Sequence, residues 1–367
     1  MMKINRCEKD GLLYGLPSVR PYNRRLGHDY GFSDQYGAFQ VAARYCNVLN
    51  NYPFPGIWQH GCFGPWDQVS PGAILYHSPS IGEKSAFVAR MDERELLRNQ
   101  GVYNVHAIGL PFVYLSDVHE ARMKDSLLVV PSHSIKGQPS FKKRKQLRQY
   151  AALINEIREQ FAQVVVCLHY GDLCNNYWVQ EFSEYDIPYV LGAVPHDSNS
   201  LLRIKMLFSR FEYVTTNSWG SHVAYALACG AKLSIWGDPP ERDVSVQEKD
   251  LGAGGSDNIK LRSAPEVLRK RSNYLSKFFT IPRNGICDPS VGLRLIGQEN
   301  RCHPDELMDL FQWSSVNFGV RVRITLSRSK EDVLSKAGSV KRKLISKIGR
   351  LVKLPLIDKR NKSVERL

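Results

Sequence analysis

Histidines and small hydroxyl residues recur in this sequence where short apolar runs end. His133 and Ser134 follow one such run, His169 follows a second, and His196 follows a third. A fourth run ends at Thr216 and leads into Asn-Ser-Trp-Gly-Ser-His. A single histidine at such a position is more often a structural residue, but imidazole and hydroxyl groups repeated at every run supply several neutral hydrogen-bond donors. The set therefore predicts a polar site that binds an anion.

The segment from residue 211 to residue 237 is typical of a strand, a tight turn, a helix and a second strand. Ser218 and Gly220 lie in the predicted turn, and Ser221 and His222 fall in the first turn of the predicted helix. Unpaired backbone N–H groups and the positive end of the helix dipole favour an anion there, and glycine lets a ligand approach the backbone. We predict a phosphate site at these four residues. An ordinary capped helix between two strands is the alternative.

Strands and helices must alternate from about residue 125 to residue 237 to position these groups. Strands are predicted over 126–130, 164–168, 187–191, 213–216 and 232–236. Alternation at this spacing implies a Rossmann-like parallel sheet with right-handed crossovers. Ligands of such sheets bind outside the carboxyl ends of the strands. The strand-end histidines and the phosphate turn are therefore predicted to line one crevice.

The N-terminal part offers one matching histidine. His60 lies in Trp-Gln-His-Gly, within a loop over 51–66 that is rich in proline and glycine. A neutral imidazole can take a proton from a hydroxyl group near neutral pH, so we predict His60 as a catalytic base and Gly61 as a point of close approach. A loop histidine bonded to a backbone carbonyl is the alternative. A helix over 34–49 and several short strands predict a smaller α/β domain around this loop.

Composition limits the class of protein. The chain has 367 residues, of which 43% are hydrophobic, and this is ample for packed cores. The sequence contains no run of 18 apolar residues and no signal-peptide pattern, so we expect a cytoplasmic protein. The eight cysteines are scattered without a CxxC pair, which predicts reduced thiols and no metal site.

The net charge of +14 is concentrated at the C-terminus. Residues 327–367 contain thirteen Lys and Arg against four acidic residues. Apolar residues recur among them at helical spacing, which predicts a basic amphipathic helix: Val340, Leu344, Ile345, Ile348, Leu351 and Val352. Such a helix binds an anionic membrane, a partner groove or its own protein. Nucleic acid is not expected, because the tail lacks aromatic residues that could stack on bases.

Four short motifs, in this order, resemble those of GT-B glycosyltransferases. They are WQHG with His60, PSHS with His133, LHYG with His169, and TNSWGSH with Ser218, Ser221 and His222. Through WQHG, FVARMDE, AIGLPFVYL and VTTNSWGSH the chain is similar to uncharacterised proteins of bacterial polysaccharide loci. It is distantly similar to CDP-glycerol glycerophosphotransferases and more loosely to UDP-N-acetylglucosamine 2-epimerase. It departs from the pattern at Tyr170, where proline is usual, in its short N-terminal domain, and in lacking a clear acidic residue to hold a ribose.

The resemblance implies an α/β, GT-B-like fold in which two Rossmann-like domains face a cleft. Residues 1–120 would form the acceptor-side domain, 121–326 the nucleotide-donor domain, and 327–367 the basic tail. The donor diphosphate would lie on Ser218, Gly220 and Ser221. The other donor-binding residues would be Gly61, His133, Ser134, His169, His196 and His222, and His60 would be the base.

The implied activity is metal-independent transfer of a sugar from a nucleotide-activated donor, with no bound cofactor. The acceptor would be a glycan or a lipid-linked molecule of bacterial capsule or lipopolysaccharide synthesis, and the tail would hold the enzyme at the inner face of the cytoplasmic membrane. Three alternatives remain open. A CDP-polyol phosphotransferase would share the fold, an epimerase would need cleft carboxylates that the sequence does not place, and a non-catalytic protein would use the tail to bind a membrane or a partner.

Overall fold

The computed structural model describes residues 15–20, 36–48, 56–59, 61–65, 74–75, 85–118, 121–134, 141–241 and 265–313. His60 and the tail 327–367 with its predicted helix lie outside the described residues. One of the short strands predicted in the N-terminal part covers 72–76; only 74–75 are described there, and they are not in a strand. The chain divides into two units, Met1–Phe311 and Gln312–Leu367, and every element given below belongs to the first.

A small parallel sheet forms in the N-terminal part. Its strands are β1 (Gly56–Trp58), β2 (Ser85–Val88) and β3 (Val105–Ala107), hydrogen-bonded in that order. Helix α1 (Ala38–Tyr45) precedes the sheet, and α2 (Met91–Asn99) connects β2 to β3. Ile57, Val88, Leu97 and Val105 are buried together because apolar residues of the strands and of α2 face one another. The predicted helix over 34–49 is confirmed over the shorter range of α1. The loop predicted over 51–66 is wrong at Gly56–Trp58, which form β1 because Ile57 and Trp58 are buried and pair with β2.

A larger sheet follows, as the alternation of strands and helices predicted. It consists of β4 (Met123–Val129), β5 (Gln163–Leu168), β6 (Tyr189–Leu191), β7 (Phe211–Thr216) and β8 (Lys232–Ile235), all parallel and ordered β6-β5-β4-β7-β8. The chain therefore builds outward from β4 in one direction and then returns to add β7 and β8 on its other side. The order reverses between β4 and β7, which is where Rossmann-like sheets open a crevice for a ligand.

Helices connect and cover these strands. They are α3 (Arg144–Ile157), α4 (Tyr170–Asn175), α5 (Val179–Ser183), α6 (Ser200–Arg210), α7 (Ser221–Ala228), α8 (Pro265–Leu275), α9 (Pro289–Leu295) and α10 (Pro304–Leu310). Short 3-10 turns lie at Pro111–Tyr114, Arg158–Gln160, Ser276–Phe278, Pro282–Asn284 and Gln298–Asn300. In α3 the residues at helical spacing, Leu147, Tyr150, Ala151 and Ile154, are buried against the sheet.

The segment from α9 onward contacts both sheets. Helix α9 packs on α7, and Gly292 permits this contact because a Cβ atom there would collide with the backbone of α7. Beyond α9, the carbonyl of Ile296 accepts a hydrogen bond of 2.9 Å from Leu110 N, and Asn300 Nδ2 donates to Ala89 O at 3.0 Å. This segment therefore connects α7 to the loops that follow β2 and β3.

The chain passes from β3 to β4 between residues 107 and 123, a stretch that includes the predicted boundary at 120. The seven cysteines in the described part are free thiols. Among the residues described, no helix has both the length and the apolar character needed to cross a membrane.

Candidate functional site

A cavity of about 210 Å³ lies at the carboxyl edge of the larger sheet, where the strand order reverses. Val130 and Pro131, which follow β4, and Leu168 at the end of β5 form part of its wall. Seven of the residues predicted from the sequence line it: Gly61, His133, His169, Ser218, Gly220, Ser221 and His222. The shared edge of parallel strands thus brings together groups that are far apart in sequence.

Two predicted residues are not part of the cavity wall. Ser134 is fully buried, its N–H donates to Asp172 Oδ1 at 2.7 Å, and its hydroxyl accepts from Asn175 Nδ2 at 3.2 Å. It joins the end of β4 to α4. His196 is half-buried in the turn before α6 and is absent from the cavity lining. Both follow strands in sequence, but their side chains are directed elsewhere.

The turn before α7 holds the His222 ring against the backbone. His222 Nε2 lies 2.9 Å from Thr216 Oγ1 and 3.2 Å from the carbonyl oxygen of Ser218. A carbonyl only accepts, so Nε2 carries the proton and Nδ1 holds the lone pair. Burial, with a smaller contribution from His133, lowers the pKa of His222 from its ordinary 6.5 to about 4. The imidazole is therefore neutral at pH 7.

Gly220 is needed for this arrangement. A Cβ atom on Gly220 would lie 2.9 Å from Cε1 and Nδ1 of His222. That separation is shorter than van der Waals contact, so any larger residue would displace the imidazole. The glycine therefore does more than let a ligand approach, since it also sets the position of His222.

His169 is held by hydrogen bonds at both ring nitrogens. As the N-cap of α4 it accepts a hydrogen bond at Nδ1 from Gly171 N, at 3.1 Å. Its Nε2 lies 3.1 Å from the hydroxyl of Tyr36, so the neutral ring donates to that oxygen. The His133 ring is stacked obliquely on it, with centroids 4.6 Å apart. Tyr36 also lines the cavity, and no pattern in the sequence pointed to it.

The loop after β1 reaches the same cavity from the first sheet. Gln59 and Gly61, the neighbours of His60 on either side, both line the cavity. The N–H of Cys62 donates to Ser221 Oγ at 2.8 Å, which ties the loop to the start of α7. Gly61 has a φ of +84°, and a Cβ there would lie 2.9 Å from Ser221 Oγ. Glycine is therefore required at this position for two reasons.

A buried network braces this loop. Gln59 is 2% exposed; its Oε1 accepts from Ala89 N at 2.9 Å, and its Nε2 donates to Gly61 O and to Glu93 Oε1, both at 3.0 Å. Arg90 pairs with Glu93 at 3.1 Å and donates to the carbonyl of Phe63 at 2.6 Å. The motif FVARMDE thus supplies the supports of the loop.

Burial governs the electrostatics of this brace. It raises the pKa of the Glu93 carboxyl to about 7, and the opposing pull of Arg90 keeps the shift from being larger. For Arg90, the carboxylates of Glu93 and Asp92 outweigh the effect of burial and raise the pKa of the guanidinium. The pair is therefore a coupled buried unit, and removing one partner leaves the other without compensation.

Asn217 joins the strand ends at the point where the order reverses. Its Oδ1 accepts from the N–H of Ser132 at 2.9 Å and from the Ser132 hydroxyl at 3.2 Å. Its Nδ2 donates to the carbonyl of Asp238 at 3.2 Å. The carboxyl ends of β4, β7 and β8 are thereby linked through one buried side chain. Asn217 belongs to the motif TNSWGSH, but no pattern in the sequence pointed to this link.

The remaining wall of the cavity is mainly apolar. Leu201, Ile204 and Phe208 of α6 line it, together with Tyr225 of α7, whose ring stacks on Phe112 with centroids 4.1 Å apart. Among the described lining residues there is no Lys, Arg, Asp or Glu. Within the same described part of the chain, no group of three or more His, Cys, Asp or Glu is arranged to hold a metal ion. An anion in this cavity would meet neutral donors.

Comparison with known proteins gives little similarity. No protein-family model matches the chain, and no curated protein matches it. One solved structure to which it is similar is that of a TarM variant from S. aureus in complex with fondaparinux, α-GlcNAc-glycerol and UDP. The TM-score is 0.30 and the identity 11%; the match covers 60% of this chain and 47% of the TarM chain. A similarity at this level carries no argument about the function of the cavity.

Proposed function

We propose that this protein transfers a glycosyl group from a nucleotide-activated donor to an acceptor hydroxyl. The observation that carries the proposal is the meeting of two elements at one cavity. The N-terminal turn of α7 opens into it where the strand order reverses, and the loop containing His60 is tied to that turn by the Cys62 to Ser221 hydrogen bond of 2.8 Å. Diphosphates bind at such a position in Rossmann-like folds.

In this proposal the donor diphosphate lies at the start of α7. Backbone N–H groups of the first turn, the hydroxyl of Ser218 and the positive end of the helix dipole all favour negative charge there. His133, His169 and His222 line the same wall. The N–H groups of His169 and His222 already donate to Tyr36 Oη and to the Ser218 carbonyl, so the donors for the diphosphate are the backbone N–H groups and the hydroxyls. Charge grows on the diphosphate as it leaves, and fixed donors aimed at that charge lower the barrier. In this proposal the protein's own donors supply that stabilisation, without a metal ion or bound cofactor.

His60 is proposed as the base. Its neighbours Gln59 and Gly61 line the cavity, and the buried brace of Gln59, Arg90 and Glu93 holds the loop. The acceptor oxygen attacks the anomeric carbon, the bond from that carbon to the phosphate oxygen breaks, and His60 takes the acceptor's proton. The nucleoside diphosphate departs with the bonding electrons. A GT-B-like arrangement of domains 1–120 and 121–326 around the cleft would exclude water from this step.

The proposed acceptor is a glycan or lipid-linked molecule of bacterial surface polysaccharide synthesis, such as capsule or lipopolysaccharide. The basic tail 327–367 would place the enzyme at the inner face of the cytoplasmic membrane, where anionic lipid attracts Lys and Arg. Both statements extend the sequence analysis, since the tail lies outside the described residues.

The test is a thermal-shift screen of UDP, GDP, ADP, CDP and CMP with the intact protein. We expect one nucleoside diphosphate to raise the melting temperature by about 5 °C when present at about 100 times its dissociation constant. His60→Ala should keep this shift but lose turnover of the matching nucleotide sugar, and Ser221→Ala should show a smaller shift. His303→Ala, at a histidine that is 76% exposed and outside the cavity lining, is the matched control.

Two results would change the proposal. If no nucleotide raises the melting temperature, a nucleotide-dependent transferase is excluded and a non-catalytic role becomes the better account. If only CDP and CMP respond, and a CDP-polyol is consumed while nucleotide sugars are not, the reaction is polyol-phosphate transfer on the same fold.

A further inference from the structure

Exposed apolar side chains are concentrated in one stretch of the chain. Six large hydrophobic residues are exposed in the described part, and four of them lie between residues 268 and 286. They are Leu268, Phe279, Ile281 and Ile286, with Phe279 54% and Ile281 45% exposed. Scattered exposed apolar residues are ordinary, but a concentration of them marks a binding surface. We call the exposed residues of this stretch the 268–286 surface.

The backbone beneath this surface is firmly anchored. Leu275 and Phe278 are buried to 1% and 0% exposure, and Pro282 is also buried. Ile286 pairs with Leu233 of β8 through two backbone hydrogen bonds of 2.9 and 3.0 Å. Phe279 and Ile281 are therefore exposed beside well-packed neighbours, and their exposure belongs to the folded chain.

The same stretch is basic. Residues 265–294 contain six Lys and Arg against two acidic residues, a net charge of +4. Residues 1–326 together have a net charge of only +5, so the 265–294 stretch accounts for most of that charge. Arg269 and Lys270 are exposed on α8. Lys277 pairs with Asp288, and Arg283 pairs with Asp125 of β4 at 2.7 Å.

We infer that the 268–286 surface docks on an anionic lipid bilayer. Aliphatic and aromatic side chains can enter the interfacial region of a bilayer while neighbouring Lys and Arg meet lipid phosphates. In this assignment Phe279 and Ile281 enter the interface, and Arg269 and Lys270 contact the headgroups. The surface lies beside edge strand β8, whereas the cavity lies at β4 and β7, so it is a site separate from the cavity.

Charge argues against the other occupants. A second copy would bring together two copies of the 265–294 stretch, each with a net charge of +4, and the tail, with thirteen cations against four acids, would be repelled in the same way. Nucleic acid would match the charge, but Phe279 is the only exposed aromatic ring that this surface offers for stacking. The inference depends neither on the tail nor on the proposed transferase activity.

Cys287 allows a local test in the full-length protein. It is the one exposed cysteine among the seven described, and it follows Ile286 directly. An environment-sensitive fluorophore on its thiol, with Cys287→Ser as the labelling control, reports whether this surface enters a bilayer. We expect a shift to shorter emission wavelength with phosphatidylcholine vesicles containing one third phosphatidylglycerol, and none with phosphatidylcholine alone. Sedimentation with the vesicles without any spectral shift would assign binding to another part of the chain and overturn the inference.

Variants separate the surface from the rest of the protein. Phe279→Ser with Ile281→Ser should weaken vesicle partitioning about tenfold, because two inserted apolar side chains are lost. Met91→Ser with Tyr103→Ser, the other two large hydrophobic residues that are exposed in the described part of the chain, is the matched control. Arg269→Glu with Lys270→Glu is a second variant that leaves the apolar residues in place and should weaken binding to a similar extent. Unchanged partitioning of both surface variants, or an equal fluorophore shift with RNA in place of vesicles, would also overturn the inference.

Discussion

The two sides of the cavity are built in different ways. On the side of the first sheet, the loop after β1 is held by a buried ion pair, Arg90 with Glu93, and by the amide of Gln59. On the side of the larger sheet, the turn before α7 is held by neutral groups, chiefly Asn217 and His222. A buried ion pair supports the loop on one side, while the turn on the other side is held by neutral polar groups.

This difference explains how a protein with a net charge of +14 can have a cavity lining, among the described residues, that lacks charged side chains. Arg90 is directed toward Glu93 and the carbonyl of Phe63, so its charge is already compensated. An anion at α7 then depends on the helix dipole, backbone N–H groups and hydroxyls. Neutral groups of this kind cost less to bury than charged ones when the cavity holds no anion. Substitutions on the two sides should therefore change the free energy of unfolding by different amounts and with different pH dependence.

The largest effect is expected on the braced side. Arg90→Ala leaves the Glu93 carboxyl buried without its partner, which should lower the free energy of unfolding by about 3–5 kcal/mol. Urea unfolding measures this. Arg94→Ala, four residues away and in a longer, more exposed contact of 3.8 Å with Glu95, is the control and should change stability by less than about 1 kcal/mol. A loss below about 1 kcal/mol in Arg90→Ala would show that the brace is not a coupled unit.

On the neutral side we expect pH dependence. The pKa of folded His222, about 4, lies below the ordinary 6.5, so the unfolded chain binds more protons between these values and stability falls as pH drops through that window. The loss reaches up to about 3 kcal/mol at pH 4. His222→Gln should remove this part of the decline, measured as the difference between the two unfolding curves from pH 7 to pH 4. Parallel curves would mean that His222 is not desolvated in the folded protein.

Asn217→Ala tests the link at the reversal of strand order. The N–H of buried Ser132 loses its acceptor, so the free energy of unfolding should fall by about 1–3 kcal/mol. Asn217→Asp keeps an acceptor oxygen for Ser132 and should lose less in chemical denaturation. Asn104→Ala, whose hydrogen bond to Ser85 is exposed, serves as the comparison. Equal losses in Asn217→Ala and Asn104→Ala would contradict a special role for the buried amide.

The smallest effect is expected for the hydrogen bond between Cys62 and Ser221, which connects the two sides. Ser221→Ala removes the acceptor of the Cys62 N–H, which should cost about 1 kcal/mol and free the loop from α7. Hydrogen exchange of a peptide covering residues 59–65 should be faster in this variant than in the wild type. Ser290→Ala, a hydroxyl bonded to Asp288 at an exposed site, should leave that exchange unchanged. Unaltered protection in Ser221→Ala would show that the loop is held without this contact.

The larger sheet and much of its site could be predicted, for a local reason. Apolar runs of five residues predict buried strands, and parallel strands end at one edge, so His133, His169 and the turn at Ser218 had to come near one another. Ser134 and His196 follow strands equally well, yet one is buried under α4 and the other is absent from the cavity lining. Position after a strand does not specify side-chain direction. The proposed base, His60, stays a prediction because it lies outside the described residues.

The sequence by itself determined the strands of the larger sheet, the helix start at Ser221 and the types of donor at the strand ends, because alternation, capping and glycine preference act over a few residues. It did not determine β1, which forms within the range predicted as a loop. Only the tertiary structure decided which strands are neighbours, that Tyr36 bonds His169, that Gln59 pairs with Glu93, and that Cys62 meets Ser221 across 159 positions. These contacts depend on the packing of elements that are far apart in the sequence, such as α9 on α7. No local pattern specifies that packing, because burial is shared by the whole core.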